Sequence, residues 1–202
     1  MITSSIPFPP VTWWQYACKA KQVTFDLAEH YQKMSYRNRY YLASPEGKTL
    51  MSIPLEKGRN QRVPVSTVQV ANSTAWQANH WKTIESLYGR SPFFEYFAYR
   101  IQPLFEKQYT YLHDFNKEGI LLLNQFLQLQ LDFAETTHFE KNYPEAVIDL
   151  RSALMPQKPA AISIPEYYQV FSERTGFLPG CSILDLLFCE GMYAAELLKA
   201  AY

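Results

Sequence analysis

Two arginines one residue apart, in Tyr36-Arg37-Asn38-Arg39, are the first residues of this 202-residue chain to pose a chemical question. On a strand, Arg37 and Arg39 would share one face about 7 Å apart. Like charges that close repel unless a counter-charge sits between them. A guanidinium fork fits a phosphate or a carboxylate through parallel hydrogen bonds. The pair is therefore read as an anion site, with Tyr36 and Asn38 beside it to frame a bound molecule. Lys33, Lys57, Arg59 and Arg62 join it if the loop carrying the last three folds over. The alternative is neutralisation from within, by acids such as Asp26 and Glu29.

Trp76, His80, Ile84 and Tyr88 recur four apart, as one stripe of a helix does. An imidazole facing a cleft from that stripe is suited to proton transfer near neutral pH. His80 is the expected catalytic base and Trp76 a wall for substrate. The competing reading is a core histidine held by a hydrogen bond. His30, near the arginines in sequence, is a second candidate, whereas His113 and His138 read as surface or loop residues. Asp149 stands two residues before Arg151. Asp185 reads as helix-capping, and Glu190 falls on another face of the same helix. HxxxH and HExxH spacings are missing, so no metal site is expected. GxGxxG, Walker A and GxSxG patterns are missing too, which removes the usual dinucleotide, P-loop and α/β-hydrolase readings. No cofactor is expected.

The elements that must position these groups follow from periodicity and turn chemistry. Ile2 to Ser5 suggests a short strand, and the prolines at 7, 9 and 10 an extended entry to a helix over Val11–Ala20. Gln22–Leu27 alternates, giving a strand–helix–strand start. Arg37–Ser44 and Lys48–Pro54 flank the turn Pro45-Glu46-Gly47 as a hairpin. Leu55–Pro64 reads as an exposed loop and Val65–Ala71 as a further strand. Thr74 and Gln77 have capping-box spacing for a helix that ends at Gly89. Ser91-Pro92 opens another helix to about Glu106, and Leu112–Leu131 a third. Phe133–Phe139 is a late strand, the proline-rich stretch Asn142–Pro165 is irregular, and a last helix starts near Ser182 with Gly191 interrupting it. The fold class is α/β: a central mixed sheet from the N-terminal half with helices from the C-terminal half packed on it. One domain over residues 1–202 is expected.

Composition bounds the partners. Nineteen basic and 19 acidic residues cancel, which leaves no global pull toward nucleic acid or an anionic membrane. The longest apolar run, near Gly119–Leu123, is far too short to span a bilayer. The first residues lack a signal-peptide pattern, and three cysteines at unrelated spacings suit free thiols. A cytoplasmic protein is expected. Aromatic residues make up 16% of the chain, with 15 tyrosines, more than a core needs, so some should line a cleft or a binding face.

Several segments together resemble the WbqC-like family. They are HYQKMSYRNRYYL (His30–Leu42), GKTLMSIPL (Gly47–Leu55), WQANHWKTIESLYGRSPFFEYF (Trp76–Phe97), DLR (Asp149–Arg151) and YYQVFSERTGFLPGCSILDLLFCEG (Tyr167–Gly191). IPFPPVTWW at the N-terminus is shorter than the corresponding strand of relatives. The resemblance implies work on a sugar in surface-polysaccharide synthesis, by acyl or aminoacyl transfer to an amino sugar. Arg37 and Arg39 would then hold a phosphate or carboxylate of a sugar or nucleotide-sugar ligand, and His80 would take the amine's proton. The alternative is a non-catalytic ligand-binding or assembly protein of a glycan-synthesis complex. Self-association into a homo-oligomer is left open.

Overall fold

The computed structural model describes residues 1–158 and 164–200, apart from the side chain of Arg59. Pro159 of the proline-rich stretch, and Arg59 as a contributor to the anion site, lie outside the described residues.

The α/β class holds, with the strands in two groups. Strand β1 (Ile2–Thr3) leads through the prolines into helix α1 (Val11–Ala20) and back to β2 (Gln22–Phe25). Pro10 occupies the position before α1, where its fixed φ of -64° and missing N–H cost nothing. Lys21, at φ 59°, ends the helix by returning its N–H to the Ala17 carbonyl. Trp13 and Trp14 are both fully buried. Strand β5 (Asp132–Glu135) pairs with β2, and all three strands run parallel in the order β1-β2-β5, with Ile2 opposite Thr24 and Val23 opposite Phe133. On the other edge of β1, the Ile2 N–H donates to the Ile148 carbonyl and the Leu150 N–H to the Ile2 carbonyl, each at 2.9 Å. Asp149 thus lies alongside Ile2 in parallel register. The chain leaves β1 toward β2 and returns much later to its opposite edge. In open α/β sheets, ligand crevices form at such a reversal, outside the carboxyl ends of the strands. Ser4, Asp26, Thr136 and Arg151 follow those ends.

Strands β3 (Arg39–Ser44) and β4 (Gly47–Ser52) form a separate antiparallel hairpin closed by Ser44 and Gly47. The strand expected over Val65–Ala71 is instead a 3-10 turn (Val65–Thr67) with single bridges at Val70 and Gln69. Its buried valines, 65, 68 and 70, begin with a spacing of three, which suits a turn rather than a pleat.

Helix α2 (Trp76–Tyr88) buries the expected stripe of Trp76, His80, Ile84 and Tyr88. It starts without a side-chain cap, because Gln77 reaches the Lys107 carbonyl instead of closing a box with Thr74. Ser91 bonds back to the Tyr88 carbonyl, so helix α3 (Phe94–Ile101) begins later than the Ser-Pro signal suggests, and a 3-10 turn containing Pro103 continues it. Helix α4 (Leu112–Leu127) stops at left-handed Gln128. After the short α5 (Ser172–Thr175), α6 (Ile183–Glu190) is capped by Ser182, broken at Gly191, and followed by α7 (Ala194–Lys199). The cluster of buried apolar residues extends from Ile6 to Leu198 and includes α1, α2, α4 and α6.

Candidate functional site

The end of β2 organises the site. Asp26 is fully buried, and its Oδ1 accepts from the Ala28 and Glu29 N–H groups and the Thr136 hydroxyl, while its Oδ2 accepts from Arg151 Nη1 at 2.7 Å. That turn aims Glu29 at Arg37, whose Nε and Nη2 donate to its two oxygens at 3.1 and 2.6 Å. Burial raises the Glu29 carboxyl above its ordinary value, and Arg37 opposes the shift. Arg151 is held from every side. Its Nε and Nη2 donate to Asp149, and the Glu140 and Lys141 carbonyls accept from Nη1 and Nη2. Tyr143 and Phe139 cover its plane at 4.9 and 5.4 Å. Its hydrogen bonds to Asp149 dominate the upward shift of its pKa, so it stays charged throughout. The two arginines meet where Arg37 Nη2 donates to the Arg151 backbone carbonyl at 3.3 Å.

A cleft of about 470 Å³ opens here, with the Glu29–Arg37 and Asp149–Arg151 pairs in its walls. His30, Lys141, Ser152 and Phe139 also line it. With Asp26 behind the wall, three carboxylates meet three cations, so the cleft presents many directed donors and acceptors without a net excess of charge. Of the described residues, no group of three or more His, Cys, Asp or Glu is arranged to hold a metal ion.

The structure brings together a different set from the one the strand pattern suggests. Arg37 lines the cleft, but from a 3-10 turn (Tyr36–Asn38) in which its own N–H is taken by Ser35 Oγ, so it shares no strand face with Arg39. Asn38 is structural: it donates to the Ile53 carbonyl at 2.8 Å and accepts from the Tyr31 hydroxyl at 2.9 Å. Tyr36 lines another groove, with Lys48 and Lys158. Arg39 opens β3 half-buried, with its Nε lacking a hydrogen-bond partner.

His80 is 6% exposed and bonded through Nδ1 to the Tyr40 hydroxyl at 3.0 Å. Trp76, itself buried, packs edge-on against it at 5.1 Å. Burial drives the imidazole down to about 4, against a hydrogen bond that the ring donates to the Ser52 backbone. Neither residue lines the cleft. The histidine that does is His30.

Two expectations from sequence are corrected. His113 is buried, not superficial: its Nδ1 bonds Ser5 Oγ at 2.9 Å and its Nε2 Glu135 at 3.1 Å. Ser5 is fully buried and also accepts from Asn116, so this Ser–His–Glu chain ties β1, α4 and β5 together. Asp185 is no helix cap. It is fully buried and accepts from the Tyr88 and Tyr167 hydroxyls and the Gln169 amide at 2.8, 2.7 and 2.7 Å. Sequence reading missed Arg151 and Asp149 as site residues, although the Asp-Leu-Arg segment stood out. Their partner Asp26 lies 125 positions from Arg151.

Comparison with known proteins places these groups in context. The sequence profile of the WbqC-like protein family matches residues 6–159. An uncharacterized protein of Mycobacterium tuberculosis is 25% identical over 196 residues, covering 84% of each chain. No solved structure matches the chain. Of the described residues, no helix is long and apolar enough to cross a membrane.

Proposed function

The chain belongs to the WbqC-like protein family, and from that footing we propose that it acts on an amino sugar destined for surface polysaccharide, passing an acyl or aminoacyl group to the sugar's amine. The observation that carries this reading is the charge-balanced cleft at the carboxyl ends of the parallel strands. A pyranose is a ring of hydroxyls, and here it carries one basic nitrogen. Carboxylates with free lone pairs offer it acceptors, and Arg37 Nη1, whose one hydrogen-bond partner among the described residues is Gln32 at 3.5 Å, offers it a donor in a rigid frame. The volume of about 470 Å³ falls in the range of small-molecule sites. Glu29 and Asp149 are the acceptors suited to the amine, and Phe139 supplies an apolar face.

In the transfer, the amine nitrogen attacks the carbonyl carbon of an activated acyl or aminoacyl ester. The new N–C bond forms, the bond to the leaving oxygen breaks, and the amine's proton goes to a base while the leaving group departs protonated. His30 takes the base role in this scheme because it lines the cleft, whereas His80 is sealed in the core. Calorimetric titration with a panel of amino hexoses tests the reading, using wild type and Ser152→Trp. Ser152 is exposed at the cleft and tied into neither arginine pair, so the indole fills space without unmaking them. Wild type should bind an amino hexose, and the blocked variant should lose at least about tenfold in affinity. No binding by wild type, or equal binding by both, removes the cleft from the function.

A second reading is non-catalytic: a ligand-binding or assembly protein of a glycan-synthesis complex. The exposure of Tyr96 and Tyr99, at 64% and 68%, favours it. Binding of an amino hexose without acyl transfer, beside a stable synthesis-enzyme partner in pull-down, would decide for it.

A further inference from the structure

A second pocket, of about 380 Å³, adjoins the cleft. It forms where the chain after β4 folds back: the Tyr31 N–H donates to the Val63 carbonyl at 2.9 Å, and His30 bridges to Pro64. Its lining is Tyr31, Gln32, Lys33, Asn60, Gln61 and Arg62, with two cations and no acid. Gln32 belongs to both linings and sits 3.5 Å from Arg37 Nη1, so one side chain is the partition between pocket and cleft.

The cations here differ from those of the cleft. Arg37 and Arg151 are each tied to carboxylates. Lys33 and Arg62 are exposed and, among the described residues, have no ion-pair partner. Two cations in the walls of one pocket, with no acid among its lining residues, are the arrangement that an anionic guest completes.

We infer that this pocket holds a phosphate of the substrate, with Lys33 and Arg62 as the cations that bind it. The cleft's ligand is then a phosphate-linked amino sugar rather than a free one. The identity of the sugar rests on the proposed function; the anion pocket stands on its own residues. Two substitutions at exposed positions suffice to test it, because Lys33 and Arg62 make no ion pair among the described residues.

The probe is inorganic pyrophosphate, titrated calorimetrically into wild type, Lys33→Glu with Arg62→Glu, and Ser152→Trp. Wild type should bind, more weakly at about 200 mM than at about 25 mM salt. The double variant should lose at least about tenfold, and Ser152→Trp should match wild type. Absent binding by wild type, or equal affinity in the double variant, overturns the assignment. So does glucuronate binding at least as tightly as pyrophosphate, since a carboxylate would then be the guest. Failure of the amino-hexose titrations leaves this result untouched, so the two readings fail separately.

Discussion

At the scale of single residues, the imidazole of His80 is a stability group whose contribution depends on pH. Its folded pKa is about 4, below the ordinary histidine value of about 6.5. As pH falls below the ordinary value, the unfolded chain takes up a proton that the folded protein refuses, so the unfolded state gains. Stability from this site is complete at neutral pH and is lost as pH falls toward the folded value. Between about pH 7.5 and about pH 5 the loss should be about 2 kcal/mol. Urea unfolding at a series of pH values, with His80→Gln alongside, isolates it: Gln keeps an acceptor for Tyr40 and does not titrate. Wild-type and variant curves that run parallel across that window would refute the assignment. The same burial that sets this pKa keeps His80 out of the cleft lining. A stripe drawn from spacing alone says which residues share a face, but not whether that face meets solvent or core.

At the scale of elements, Gly191 separates α6 from α7 with φ 59° and ψ -131°. A Cβ there would fall 2.6 Å from the Phe93 ring. Gly176 also has positive φ, at 69°, but no atom within 4 Å of a built Cβ. Gly191→Ala should therefore cost more than Gly176→Ala, by about 1 kcal/mol or more, and the excess measures the ring overlap. Equal shifts in urea midpoint would show that Phe93 yields freely. Elements of this kind were readable in sequence where local chemistry decides them. The prolines and apolar run fixed α1 at Val11–Ala20, the four-residue stripe fixed the buried face of α2, and Gly191 marked the break. Sequence failed where a distant partner decides. The turn in front of β3 exists because Ser35 takes the Arg37 N–H while Glu29 takes its fork. Arg37 meets Arg151 across 114 positions. Alternation carries no information about such pairings, so the cleft was legible as two charged fragments and not as one site.

At the scale of the whole molecule, a net charge of zero is maintained by local cancellation in the cleft, while the neighbouring pocket is left basic. Folding as one unit is an expectation that an unfolding experiment can test. Far-UV circular dichroism and tryptophan fluorescence should report one coincident transition. Leu187→Ala, in fully buried α6, should lower both midpoints together, at a cost of about 2–5 kcal/mol. Separate midpoints would divide the chain into independently stable parts. The family profile ends at residue 159, yet Ile183, Leu184, Leu186, Leu187 and Phe188 after it are all fully buried. Asp185 in that helix also gathers the hydroxyls of Tyr88 and Tyr167. Translation runs from the amino end, so the sheet and the first four helices leave the ribosome before the segment that seals them. Until that helix emerges, a nascent chain carries an uncovered apolar flank and a Tyr88 hydroxyl and a Tyr167 hydroxyl still without their carboxylate.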